Sequence, residues 1–216
     1  MDKLIEDFKE SLFENSEELV GDYTELGIDS FINDGVLKDI PIVKTIVSVL
    51  KIGKNVHDRN LLKQSLNFIK EFNNGNVDEG KLKNYKIEIE KNTKKSEKEL
   101  ERVLLLLNNF IDIQKSIILA KLFKAYINEQ INWNEFCEFA DITDRLFMED
   151  IRILKHFKEN KELKGQLEDQ FRVERIYSLG ILGVELDNVS YEEMKEDATA
   201  GRSLSALGQK YCDIIF

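Results

Sequence analysis

The sequence predicts a mainly α protein: a multi-helix bundle over residues 1–158, followed by a small C-terminal winged-helix-like α+β module over 159–216. Three observations carry that expectation. Proline occurs once and glycine 11 times in 216 residues, so the punctuation that an all-β chain needs at every turn is scarce. Apolar residues recur mostly three and four apart among 33% charged residues, the spacing that puts them on one side of a helix. Two short candidate strands, 181–186 and 202–204, flank a polar excursion between two helical patterns, which is the element order of a winged helix.

In chain order, Ile5, Phe8, Leu12, Leu19, Tyr23 and Leu26 form one stripe of an acidic amphipathic helix over 2–26, which Asn15-Ser16 or Gly21 could divide. A short helical turn, IDSFIND, ends at Asp34-Gly35. Asp39 as cap and Pro41 in the first turn then open a helix to about residue 56. Its Ile42, Val43, Ile46, Val47 and Leu50 gather on one side, with Lys44 and Lys51 on the other. The run is too short, and its lysines too central, for a simple membrane span. A bundle centre with lysines at the rim, or a basic amphipathic helix at a membrane surface, both fit the pattern.

Asp58 is read as the cap of a helix carrying Leu62, Leu66, Ile69 and Phe72 and stopping at Asn73-Asn74-Gly75-Asn76. The lysine-rich stretch 78–98 has a thin stripe (Leu82, Tyr85, Ile89) and reads as an exposed helix or a partly flexible connector. LERVLLLLNNF demands burial on more than one side. In IDIQKSIILAKLFKAYINEQ, the rows Ile118–Leu122–Tyr126 and Leu119–Phe123–Ile127 lie side by side. Asn132 with Glu135 makes a capping box for a helix bearing Phe136, Phe139, Ala140, Thr143 and Leu146. A further helix over 149–158 precedes KENKELKG, the predicted domain boundary. Phe171, Ile176 and Leu179 then mark a helix that Gly180 terminates, and the last helix begins near Leu207.

Charge narrows the function classes. A formal net charge of −10 opposes the phosphate attraction behind most nucleic-acid binding. Residues 161–216 alone carry seven basic against eleven acidic residues, so a DNA-reading winged helix would need Arg172, Arg175, Arg202 and Lys210 on one face. The expected partner is therefore another protein, or a second copy of the chain, rather than nucleic acid. Residues 1–34 are acidic and 36–72 basic, a complementarity that solvated faces alone would also produce.

No catalytic, cofactor-binding or metal-binding residue is predicted. His57 and His156 are far apart with no companion at helical spacing, and His57-Asp58-Arg59 lacks the loops that would make it a kinase signature. Glu138, Asp141 and Asp144 fit a solvated face better than a cation site. Cys137 suits a small core thiol, Cys137 and Cys212 without close spacing fit a reducing cytosol, and MDKLIEDFKESLFE lacks a secretory leader's pattern.

GVLKDIPIVKTIVSVLKIGKNVHDRNLLKQ, KSIILAKLFKAYINEQINWNEFCEFADITDRL, RIYSLGIL and LSALGQKY together resemble bacterial helical proteins of the abortive-infection alpha type. Those proteins similarly close on an LTxLGxxF-like pattern; here Ser205 stands in the threonine place and Tyr211 in the aromatic one. The resemblance implies a prokaryotic or phage-borne protein with a role in phage defence, and it carries over no residue roles. Two expectations follow: a non-enzymatic defence protein whose 35–56 helix acts at a membrane, or a cytosolic adaptor that binds a protein partner through the bundle or the acidic winged-helix module.

Overall fold

Amphipathic spacing becomes helix over most of the chain. The computed structural model describes residues 2–13, 40–49, 56–75, 77–159, 167–184 and 201–216. Among these residues the order is α1 (Asp2–Phe13), α2 (Pro41–Val49), α3 (Val56–Asn73), α4 (Glu79–Lys91), α5 (Thr93–Asn109), α6 (Ile113–Ile127), α7 (Trp133–Arg145), α8 (Met148–Lys158) and α9 (Leu167–Ser178). Strands β1 (Leu182–Val184) and β2 (Arg202–Leu204) and helix α10 (Ala206–Ile215) complete it. No helix among the described residues is long and apolar enough to cross a membrane.

The chain divides into two compact units, 1–140 and 141–216. The division falls inside α7, not in the polar segment 158–165, because α8 packs with α9 and α10 and so belongs with the C-terminal elements.

In the first unit, α3 lies against α6 and α5, while α1 packs on α2, α5 and α3. Phe123 of α6 is the hub. Its ring meets those of Phe68 and Phe72 at 5.9 Å, Tyr85 at 5.9 Å and Phe136 at 5.7 Å, in tilted or edge-on arrangements that suit the aromatic quadrupole. Ends are tied by polar groups. Ser11 Oγ of α1 accepts the Ile42 N–H at 2.9 Å, supplying a cap to α2 from outside its own sequence, and Thr45 donates to Asp7. Lys124 Nζ donates to the Glu71 and Asn74 carbonyls at the end of α3, where freed carbonyls favour a cation.

Several expectations meet the structure directly. The Asn132–Glu135 capping box forms both ways, Glu135 N–H to Asn132 Oδ1 at 3.1 Å and Asn132 N–H to Glu135 Oε2 at 2.8 Å. The lysine-rich stretch is ordered helix on both sides of Asn92, whose side chain caps α5 by accepting the Lys95 N–H. Asp58 departs from its predicted role: α3 begins at Val56, so Asp58 is a buried first-turn residue where its charge meets the helix dipole, and not the cap. Leu19, Tyr23, Leu26, the IDSFIND turn, Asp39 and the polar excursion after β1 lie outside the described residues.

In the second unit, β1 and β2 pair antiparallel with Leu182 opposite Leu204 and Val184 opposite Arg202. Gly180, at φ +76°, ends α9 as its sequence position predicts. Ser205 is the N-cap of α10: its hydroxyl accepts the Gly208 N–H at 2.9 Å and donates to the Gly180 carbonyl at 2.6 Å. A Cβ on Gly208 would stand 1.9 Å from the Ile181 carbonyl oxygen, so the backbone of α10 rests directly on the start of β1. Tyr211 is fully buried, its hydroxyl 2.9 Å from Thr143 Oγ1.

Candidate functional site

Residues of the candidate membrane or partner helix are largely enclosed. Ile42, Val43 and Ile46 are buried and Val47 half-buried, while Lys44 is exposed; Leu50 and Lys51 lie outside the described residues. The α2 side that would enter a membrane faces α1 and α3 instead.

Of the four basic residues proposed for the C-terminal surface, Arg172 and Arg175 lie on α9, Arg202 on β2 and Lys210 on α10, and they do not share one face. With 3.6 residues per turn, positions 172 and 175 lie on the opposite side of the helix from 174 and 177. Arg172 and Arg175 border one cleft. Arg202 joins the other side: its guanidinium sits 3.7 Å from the Tyr177 ring centroid and donates to Glu174 at 3.0 Å. Lys210 is on α10, half-buried.

The cleft holds about 420 Å³ between the start of α8 and the middle of α9, lined by Phe147, Glu149, Phe171, Arg172 and Arg175. Its construction starts from Asp150, which is fully buried. As the third residue of α8 it accepts the Phe147 N–H at 2.8 Å, one half of a capping box; phenylalanine has no group to return the other half. The same carboxylate accepts Arg175 Nε at 2.8 Å and Nη2 at 2.5 Å, a bidentate pair that holds the guanidinium 4.5 Å from the Phe147 ring centroid. Those hydrogen bonds push the arginine pKa still higher. Glu149 is held below the usual carboxylate range by its hydrogen bond from Arg152, with the charges of Arg152 and Arg172 adding to the effect. Phe147 is 61% exposed and Phe171 75%. Phe171 was expected on the buried stripe with Ile176 and Leu179. The buried stripe is instead Val173 and Ile176, leaving Phe171 on the far side of α9, because sequence spacing alone does not say which face of a mixed helix is covered.

A second polar cluster, in the first unit, was not anticipated. Glu99 accepts the Tyr85 hydroxyl on Oε2 and the Tyr126 hydroxyl on Oε1, each at 2.9 Å, and Lys95 Nζ lies 3.8 Å away. Burial raises the Glu99 pKa against the lowering by both hydroxyls and the lysine. Burial, then the Glu99 charge, raises both tyrosines. Both carboxylate oxygens are occupied, so the arrangement cross-links α4, α5 and α6 and offers no free base. Tyr85 and Tyr126 were visible on their stripes; their meeting at Glu99 depends on how three helices cross.

His57 is exposed and His156 half-buried, and no group of three metal-ligating side chains occurs among the described residues. Cys137 is half-buried; burial pushes the Cys212 thiol up to about 12, which keeps it protonated and inert at neutral pH. No protein family, curated protein or solved structure matches the chain.

Proposed function

We propose that this is a non-enzymatic adaptor: a helical bundle carrying a winged-helix-like C-terminal unit that docks another protein through the α8–α9 cleft. The observation that supports it is the pairing of two well-exposed phenylalanines with an arginine oriented from beneath by a fully buried carboxylate. Exposed aromatics and arginine are the residues that dominate protein interfaces when they become covered. The enclosure of Ile42, Val43 and Ile46 favours this over membrane action by α2, which would require α1 and α3 to release it.

A photo-crosslinking residue at position 171, with one at exposed Lys83 as control, tests the docking role in cells. The adaptor should give a discrete protein adduct from position 171 alone, and the purified partner should bind wild type but not Phe171→Glu. Adducts identical from both positions would remove the reading. The phage-defence setting rests on the sequence resemblance, and its check is plating efficiency. Phage plating should fall on bacteria expressing the wild-type chain and recover with Phe171→Glu. Equal plating with and without the protein counts against a defence role.

A further inference from the structure

Resting on the docking role of the α8–α9 cleft, we propose that its occupant is a peptide segment of another protein that presents an apolar side chain next to a single carboxylate. Arginine has five N–H donors. Asp150 takes one from Nε and one from Nη2, and Nη1 has no partner among the described residues. The guanidinium is fixed on two sides, by the bidentate pair and by the Phe147 ring, while 35% of the side chain remains exposed. An arginine already held in one orientation captures a carboxylate at less conformational cost than a free one. Phe147 and Phe171 supply the apolar walls, and the cleft volume falls within the range of ordinary ligand sites.

Charge sets how acidic the occupant is. Arg175 lines the cleft and keeps guanidinium donors beyond its ion pair, since Asp150 takes one from Nε and one from Nη2. One carboxylate is enough to meet those donors. A phosphate, an acidic run or a nucleic acid would bring surplus negative charge toward a chain whose net charge is −10. A purely apolar peptide would cover Arg175 Nη1 without giving it an acceptor.

The test is selection of a phage-displayed random peptide library on the full-length protein, followed by anisotropy with synthetic peptides. Selected peptides should share an apolar or aromatic residue within a few positions of Asp or Glu. Changing that Asp to Asn, or Glu to Gln, should weaken binding at least about tenfold, roughly the discrimination expected when a charge-assisted hydrogen bond is lost. Phe171→Ala, an exposed position, should weaken it similarly while the melting curve stays at the wild-type value. Peptides that need Phe171 but tolerate the amide overturn the carboxylate while the docking role stands. Failure to select any peptide that responds to Phe171→Ala overturns both. Sedimentation showing self-association abolished by Phe171→Ala makes a second copy the occupant and overturns the peptide proposal.

Discussion

A buried carboxylate must be supplied with donors or lose its charge, and Glu99 sits between those outcomes. Its two tyrosine donors and Lys95 favour the ionised form, yet burial dominates and its pKa lies above the ordinary value of 4.5. The folded state therefore holds the Glu99 proton to higher pH than the unfolded chain does. The stability this contributes is fully present below about pH 4.5 and is lost as pH rises through the folded-state value. Glu99→Gln keeps the neutral form at every pH, so the wild-type-minus-variant stability in urea melts should fall as pH rises from about 4.5. A difference flat across that range would mean that burial does not control Glu99. Asp150 is a second carboxylate, fully buried, with three donors in hand. Asp150→Ala should cost about 1.5–3 kcal/mol in the same melts, the cost typical of charged hydrogen bonds, while Glu149→Ala, at an exposed ion pair, should leave the melt close to wild type. Equal losses would show that the buried anchor is no anchor.

Among the elements, the α9–β1 turn and α10 show how a sequence pattern can be legible while its meaning is not. The runs RIYSLGIL and LSALGQKY stand out in the sequence, and the structure gives their shared residues a mechanical role. Gly180 turns the chain, Ser205 caps α10 and returns a hydrogen bond to Gly180, and Gly208 lets α10 rest on Ile181. With a backbone atom 1.9 Å from any added Cβ, Gly208→Ala cannot be absorbed by a side-chain rotation. It should cost at least about 1–3 kcal/mol, as overpacking does, whereas Ser205→Ala should cost about 1 kcal/mol as a lost cap. Thermal melts of the two variants check the order; Gly208→Ala melting at or above Ser205→Ala would refute the close approach. Caps written within one segment, such as Asn132 with Glu135, could be read beforehand because donor and acceptor are three residues apart. The cap of α2 could not, since Ser11 reaches Ile42 across 31 residues. Phe171 fails for a related reason: the pattern finds a stripe, and packing chooses which stripe is covered.

For the whole molecule, composition and apolar spacing were enough for a mainly helical fold, and the described residues are helical apart from one strand pair and the connections. The division into units was less legible, because polarity marks where a chain can be cut and not which helices share contacts. The role of α2 turns on the same distinction. Ile42, Val43 and Ile46 look alike in sequence whether they wait for a lipid surface or fill a bundle, but only the second makes them necessary for folding. Burial of aliphatic side chains in a packed core is worth about 2–5 kcal/mol each on truncation, against a total stability of about 5–15 kcal/mol. Val43→Ala with Ile46→Ala should therefore lower the melting temperature strongly or leave the first unit unfolded, and the native protein should leave vesicles containing anionic lipid intact. Exposed Lys44→Ala, by contrast, should leave the melt nearly unchanged. A double variant that melts like wild type but abolishes vesicle leakage would reverse the assignment, making α2 the effector and the bundle its cover. A double variant that unfolds, with native protein inert toward vesicles, leaves the exposed cleft of the second unit as the place where binding is to be sought.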